Sequence, residues 1–281
     1  MRILLTGPNG FIGTPLTEAL IKSGHVVIPH RHANGDITNC ELAYENIDHV
    51  IHLAGKTFVP ESWTKTHEFY MINFMGTVNV LEFCRKKKVS MTFLSTYVYG
   101  NPQTLPISEN HPIKPASPYN HSKLMAEEMC EYYHREFGVQ ITILRPFNIY
   151  GPGQPDRFLV PNIFRQLLDP LKDSVEVATL EPKRDFLFVD DIIKAIIKTI
   201  EPLKKFAVYN VGSGSSHSVK EVIELAMKVT GIKKNIITTG VLRPNEVMDT
   251  VADISAIKND LRWAPDTSLE NGFKLLAQIN L

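Results

Sequence analysis

The sequence predicts an α/β protein: a doubly wound parallel sheet with a smaller C-terminal domain. Three observations predict it. From Arg2 to Asn148, short apolar runs of strand length alternate with stretches of helical period. The first apolar run is stopped by a glycine-rich turn that opens a helix. Pro and Gly then cluster through residues 151–170, and this change of texture marks a boundary. A chain of 281 residues suits one large α/β domain or a large domain with a smaller companion.

Taken in order, "RILLTG" reads as a buried strand and "TPLTEALIKSG" as a helix with a glycine stop. "HVVIPH" is the second strand. "DHVIHLAG" and "VSMTFLST" are two more, separated by the helical "FYMINFMGTVNVLEFCRKKK". "SPYNHSKLMAEEMCEYYHREFG" is a long helix with a glycine cap, and "VQITILRPFN" one further strand. Beyond the boundary, "RDFLFVDDIIKAIIKTIE" returns to strand and helix, with Asp190 and Asp191 placed to cap it. "AVYNVGSG" is a strand ending in a turn, and Ser218 starts the amphipathic "SVKEVIELAMKVTG". The expected division is 1–148 plus about 184–212 for the sheet domain, and 149–183 plus 213–281 for the smaller one.

Thirty basic residues balance thirty acidic ones, so no global excess points to nucleic acid or to an anionic membrane. "RKKK" at 85–88 reads as a solvated helix end. Cys40, Cys84 and Cys130 are far apart and odd in number, as suits a reducing cytoplasm. No apolar run approaches the ~20 residues that span a bilayer. "MRILLTG" is broken too early by glycine to be a signal peptide. The ten histidines form no metal-ligand pattern.

"TGPNGFIG" sets Gly7, Gly10 and Gly13 between the first strand and its helix, the context of a dinucleotide-binding turn in a Rossmann-type sheet. One glycine makes the turn, one admits a pyrophosphate to the backbone, and one lets the helix pack on the sheet. The helix N-terminus adds partial positive charge. Downstream, "SPYNHSK" sets Tyr119 and Lys123 four apart, on one face of a helix. A nearby ammonium favours a phenolate, so the pair suits proton exchange near neutral pH.

The Gly-x-x-Gly-x-x-Gly spacing and the Tyr-x-x-x-Lys pair together resemble the extended short-chain dehydrogenase/reductases that act on nucleotide-sugars. The likeness continues through "HVIHLAG", "NFMGTVNVLEFC", "FLSTYVYG", "LRPFNIYGPGQ", "RDFLFVDD", "YNVGSG" and "RPNEVMDTVAD", in order. It implies that Tyr119 and Lys123 are catalytic and that Lys123 also holds the nicotinamide ribose. Ser95 or Thr96 would supply a hydroxyl to the same sugar oxygen; counting back from Gly100, Ser95 takes the family's position. Gly7, Asn9, Gly10, Phe11, Ile12 and Gly13, with Leu53 and Ala54 after the "HVIH" strand, would line the cofactor. The family's 4,6-dehydratases carry an Asp-Glu pair after the catalytic hydroxyl. Here those places are Thr96 and Tyr97, so water elimination is disfavoured.

At the end of the second strand an acidic residue selects NAD and an arginine admits NADP. Arg31 stands there between His30 and His32, so the expectation is NADP(H), with NAD(H) as the alternative; Asp36 would contact the adenine. Lys56, Ser62 and Trp63 fit a Lys-x-x-Val-x-x-Ser-Trp pattern of reductases acting on nucleotide-bound 4-keto-6-deoxyhexoses. Asn148, Arg184 and Arg243 match substrate-side positions, and guanidinium groups suit a diphosphate. Arg184 could instead brace the domain through a carboxylate. The resemblance thus implies an NADP(H)-dependent 4-ketoreductase of a nucleoside-diphosphate 4-keto-6-deoxyhexose. Its rivals are an NAD-dependent nucleotide-sugar 4-epimerase and a non-catalytic dinucleotide sensor. The family also implies a homodimer built on the helices near 69–86 and 119–136.

Overall fold

The computed structural model describes residues 1–201, 204–241 and 246–280. Strand β1 (Arg2–Thr6) leads through the glycine turn into α1 (Gly13–Lys22), then β2 (Val26–His30), a 3-10 turn (His32–Asn34) and β3 (His49–His52). Next come α2 (Val59–Thr64), α3 (Thr66–Phe69), a π-helical turn (Tyr70–Met75), α4 (Gly76–Lys87) and β4 (Ser90–Leu94). Helix α5 (Pro118–Phe137) precedes β5 (Ile141–Pro146) and β6 (Asn148–Tyr150). The remainder holds α6 (Leu159–Leu168), β7 (Ser174–Val177), β8 (Lys183–Phe188), α7 (Val189–Lys198), β9 (Phe206–Val211) and β10 (Ser216–Ser218). It closes with α8 (Val219–Thr230), β11 (Asn235–Thr238), α9 (Ser255–Leu261) and α10 (Leu269–Asn280).

The central sheet is six-stranded and parallel, in the order β2-β1-β3-β4-β5-β9. Its two faces follow from the period of two along β1. Ile3 and Leu5 join one apolar core with Leu16 and Leu20 of α1, while Leu4 joins the other with Val80 and Leu81 of α4. Helices therefore cover both faces, as a parallel sheet requires. Pro29, which has no N–H to give, lies in β2 at the edge of the sheet, where a strand tolerates it. The strand order reverses between β1 and β3, and in such sheets ligands bind at the carboxyl ends beside the reversal.

One strand expected from the sequence is two. "VQITILRPFN" breaks after Pro146: Phe147 N–H still donates to Val211 O at 2.9 Å, and the chain then leaves the sheet. The next three residues, β6, pair with β8 in a separate three-stranded sheet ordered β10-β8-β6. The stretch 184–212 consequently feeds both sheets, β8 the small one and β9 the large one. Asp185 ties them together. Its buried carboxylate accepts from Ser213 N at 2.6 Å, Ser213 Oγ at 2.7 Å, Gly214 N at 3.0 Å and Ala252 N at 3.0 Å. Asp191 does not cap α7. It is fully buried and holds the C-terminal segment instead, accepting from Thr267 N at 2.9 Å through its carboxylate and from Trp263 Nε1 at 3.0 Å through its carbonyl. Among the described residues, no helix is long and apolar enough to cross a membrane.

Candidate active site

The carboxyl ends of β1, β3, β4 and β5 converge on one edge of the sheet, and the expected site residues emerge there. Gly7 follows β1 in the left-handed region, at φ 71°, and a Cβ on it would sit 2.9 Å from Ala54 N. A Cβ on Gly13 would sit 2.1 Å from Gly7 O. Both positions demand glycine, because turn, helix and the neighbouring β3 turn press together. Thr6 fastens that neighbour: its Oγ1 accepts from Ala54 N at 3.1 Å and meets His52 Nδ1 at 2.7 Å. Asn9 and Gly10 are exposed, and Phe11, Ile12, Leu53 and Ala54 are partly exposed. No side chain caps the start of α1. A glycine cradle with an uncapped helix start fits the diphosphate of a dinucleotide.

At the end of β2, Arg31 and His32 are exposed. His30 is not part of a basic cluster. It is buried at 5% exposure with Nδ1 2.9 Å from Tyr44 Oη, and burial holds its pKa below the usual histidine value. The positive charge at this end is therefore that of Arg31. Exposed Asp36 accepts from Thr38 N at 2.9 Å and Thr38 Oγ1 at 2.8 Å, which lowers its pKa and closes an Asx turn. Asn79 of α4 holds the same loop through Ile37 O at 3.0 Å and Cys40 O at 2.7 Å.

Helix α5 begins where the pattern predicts. Ser117 caps it, accepting from Asn120 N at 3.2 Å, and Pro118 takes the first turn. Tyr119 and Lys123 are both buried, on the face toward the sheet. The Thr96 side chain is the neighbour that draws the Tyr119 pKa down. Two electrostatic details differ from the sequence expectation. Burial pushes the Tyr119 pKa up, and it is Thr96, not Lys123, that pulls it back. The Lys123 ammonium lies 4.0 Å from the centroid of the Phe93 ring, and its own burial brings it down to about 7. A lysine so close to neutrality contributes little fixed charge to its neighbour in the ligand-free protein.

Ser95 meets another residue of α5. Its hydroxyl donates to Glu127, buried one turn beyond Lys123. Arg145 of β5 grips that carboxylate through Nε at 3.1 and 3.0 Å and Nη2 at 2.6 Å, and reaches Tyr99 Oη at 2.9 Å. Tyr99 in turn donates to Asn210 Oδ1 on β9 at 2.6 Å. Beneath the site, Asn73 in the π-helical turn accepts from Lys56 N at 2.8 Å and donates to Ser122 Oγ at 3.0 Å. The irregular turn thus aims a side chain at the loop after β3 and at α5 together.

On the substrate side, Asn148 is exposed at the start of β6. The Lys56 ammonium bonds Glu61 at 3.1 Å and Glu68 at 2.5 Å. Ser62 is buried and donates to Val59 O at 2.6 Å, whereas Trp63 is 51% exposed. Arg184 bonds Glu246 and donates to Lys183 O at 2.7 Å. Arg243 lies outside the described residues. Phe58, after the β3 turn, meets Phe158 edge to face at 5.6 Å, with Arg157 4.8 Å over the Phe58 ring.

Sequence reading missed Glu127, Arg145, Tyr99 and Asn210. A signal existed for the first: Tyr119, Lys123 and Glu127 recur every fourth residue, so all three share one helix face.

Comparisons with known proteins identify the family and the fold. The model of the NAD dependent epimerase/dehydratase family matches residues 3–212. The chain is 31% identical to GDP-6-deoxy-D-mannose reductase of Pseudomonas aeruginosa, over 98% of this chain and 95% of that protein. It is also 31% identical to a putative UDP-glucose 4-epimerase of Methanocaldococcus jannaschii, over 97% and 96%. Among solved structures, RMD from Pseudomonas aeruginosa complexed with NADPH superposes with a TM-score of 0.91 at 29% identity, covering 99% of this chain and 98% of that one. The UDP-glucuronic acid 4-epimerase of Bacillus cereus, in complex with UDP-glucuronic acid and NAD, also gives 0.91, at 28% identity over 100% and 99%. The glycine turn, the Tyr119–Lys123 face and these likenesses converge: the chain belongs to the NAD-dependent epimerase/dehydratase family, the extended short-chain dehydrogenase/reductases.

Proposed function

We propose that the protein is an NADP(H)-dependent reductase of the C4 ketone of a nucleoside-diphosphate 4-keto-6-deoxyhexose. The observation that carries the reading is the buried Tyr119, with buried Lys123 one turn on, on the face of α5 toward the sheet edge that also holds the glycine cradle. The dinucleotide, when bound, supplies the hydride to C4. Tyr119 donates the proton to the forming alkoxide. Thr96 stabilises the phenolate left behind, and Lys123 orients the ribose and takes up charge near neutral pH. Exposed Arg31 at the end of β2 would pair with a 2′-phosphate. The solved structure of RMD from Pseudomonas aeruginosa is complexed with NADPH, which favours the same cofactor. Thr96 and Tyr97 offer no carboxylic acid for water elimination, and the Tyr97 hydroxyl is taken by Gly100 O. Asn148 and Arg184, together with Arg243, would hold the nucleotide-sugar.

The second reading is an NAD-dependent nucleotide-sugar 4-epimerase, favoured by epimerase relatives of equal identity. The experiment that separates the two is identification of any dinucleotide released on denaturing the purified protein. An empty protein that then binds NADPH more tightly than NADH supports the reductase; stoichiometric NAD supports the epimerase. Tyr119→Phe should fold and bind cofactor yet lose turnover by orders of magnitude, on the ~10²–10⁴ scale of acid–base catalysis. Full activity in that variant would sink the mechanism.

A further inference from the structure

We infer that His52 is a positioning residue: it ties the glycine turn to the turn of α5 that carries Tyr119, through a hydrogen-bond chain that runs in one direction only. The inference deepens the proposed function, and it rests on the glycine turn as the dinucleotide site and on Tyr119 as the proton donor. His52 ends β3 and is fully buried, as are Thr6 and Thr77 on either side of its ring. All three are closed off from a dinucleotide or a sugar, so any effect they have on the reaction passes through other residues.

The His52 ring lies between two hydroxyls. Its Nδ1 is 2.7 Å from Thr6 Oγ1 and its Nε2 is 3.0 Å from Thr77 Oγ1. Distances alone leave the tautomer open; the two ends of the chain close it. Thr77 Oγ1 is 2.6 Å from Asn73 O, and a carbonyl only accepts, so the Thr77 proton goes there. Thr77 must then accept from His52, which puts a proton on Nε2. Burial takes the His52 pKa down to about 3 and keeps the ring neutral, so Nδ1 is bare and accepts the Thr6 proton. Thr6 Oγ1, its proton committed, accepts from Ala54 N–H at 3.1 Å. The chain reads Ala54 to Thr6, Thr6 to His52, His52 to Thr77 and Thr77 to Asn73, with each group donating once. The Asn73 side chain carries the tie onward. It accepts from Lys56 N at 2.8 Å and donates to Ser122 Oγ at 3.0 Å, and Ser122 donates to the carbonyl of Tyr119 at 2.8 Å.

The ring is stacked on Phe93, with centroids 5.6 Å apart and planes at 25°, which limits its rotation. The freedom left to it is which nitrogen holds the proton. Without the Thr77 hydroxyl, a proton on Nε2 would be buried and unpaired, so it moves to Nδ1. His52 then donates to Thr6, where it competes with Ala54 N–H for one oxygen and leaves the Thr6 proton without its acceptor. A hydroxyl removed beside Asn73 is thereby felt at Ala54, against which Gly7 is pressed.

The test perturbs one end of the chain and reads the other, in ligand-free protein labelled with ¹⁵N at neutral pH. His52→Asn identifies the His52 ring among the ten histidines, and Ala54→Gly identifies the Ala54 amide. In the wild type, the ring should carry its proton on Nε2 and leave Nδ1 bare. Thr77→Val, which keeps shape and removes the hydroxyl, should move that proton to Nδ1 and shift the Ala54 amide. It should also weaken dinucleotide binding by roughly 10-fold in fluorescence titration. Thr77→Ser should restore all three; Thr77→Ala replaces the valine variant should that one not fold. A purely structural role would lower the melting temperature of Thr77→Val with the Ala54 amide and the affinity unchanged. That result, or a wild-type ring with its proton on Nδ1, would overturn the inference. The resonances need no ligand, so a wild type that binds no dinucleotide would strike the proposed function and leave the chain to be decided by the ring and amide signals.

Discussion

Lys123 should make the protein less stable than it could be, by an amount that depends on pH. Its side chain is buried against Phe93, and the nearest carboxylate on its helix face, Glu127, is committed to Arg145 and Ser95. Burial takes the ammonium from 10.5 to about 7. At about 1.36 kcal/mol per pH unit, keeping it charged inside costs on the order of 5 kcal/mol. The folded pKa lies below the unfolded one, so between pH 7 and 10.5 the unfolded chain binds more protons. Stability therefore rises with pH across that window, and the full penalty applies below pH 7. Lys123→Met keeps the length of the stem and removes the charge. In urea denaturation of the ligand-free protein, the variant should exceed the wild type by several kcal/mol at pH 6, and roughly 2 to 3 kcal/mol of that advantage should vanish by pH 9. Comparing variant with wild type at each pH cancels the other titrating groups. The same variant should lose turnover, the usual exchange between stability and function at an active site. A stability difference that stays constant from pH 6 to pH 9 would refute the reasoning, because Lys123 would then not titrate in that range.

Three further outcomes follow from single contacts. Gly13→Ala puts a methyl group 2.1 Å from Gly7 O, so the turn must open; dinucleotide affinity measured by fluorescence titration should fall at least ~10-fold, and unchanged affinity would contradict the cradle. Asp185→Ala leaves the N–H groups of Ser213, Gly214 and Ala252 without their acceptor, a loss of about 3 kcal/mol or more that thermal unfolding should show as a melting point lower by roughly 6 °C or more. Arg31→Asp should reverse or abolish any preference for NADPH over NADH by ~10-fold or more, with kcat little altered at saturating cofactor; an unchanged ratio of affinities would place Arg31 outside the cofactor site.

The order of strands and helices was legible because it depends on local periodicity and on glycine and proline, which act within a few residues. The glycine turn could be read to the residue, since Gly7 and Gly13 answer to backbone geometry alone. Pairings across the fold were not legible. Nothing in "LSTYVYG" tells that the Ser95 hydroxyl is taken by Glu127; that depends on how α5 packs over the end of β4. The Glu127–Arg145 pair joins a helix to a strand 18 residues away, and charge pattern alone does not reveal such a partner. His30 looked basic beside Arg31, yet alternation along β2 turns it inward to Tyr44. Tyr119 and Lys123 were found by spacing, but the sign of their mutual influence was not, because burial shifts both groups more than either shifts the other. The break at Pro146 needed the second sheet to be seen, as β6 finds its partner in β8.

The most direct test follows a hydride. The protein would be incubated with NADPH deuterated at the transferring position of C4 and a nucleoside-diphosphate 4-keto-6-deoxyhexose, and the product examined by NMR and mass spectrometry. The account predicts one deuterium at C4 of the sugar, one NADPH consumed per product, and neither in Tyr119→Phe. Inversion at C4 of a 4-hydroxy nucleotide-sugar, with no NADPH consumed and no deuterium gained, would contradict it and establish the epimerase instead.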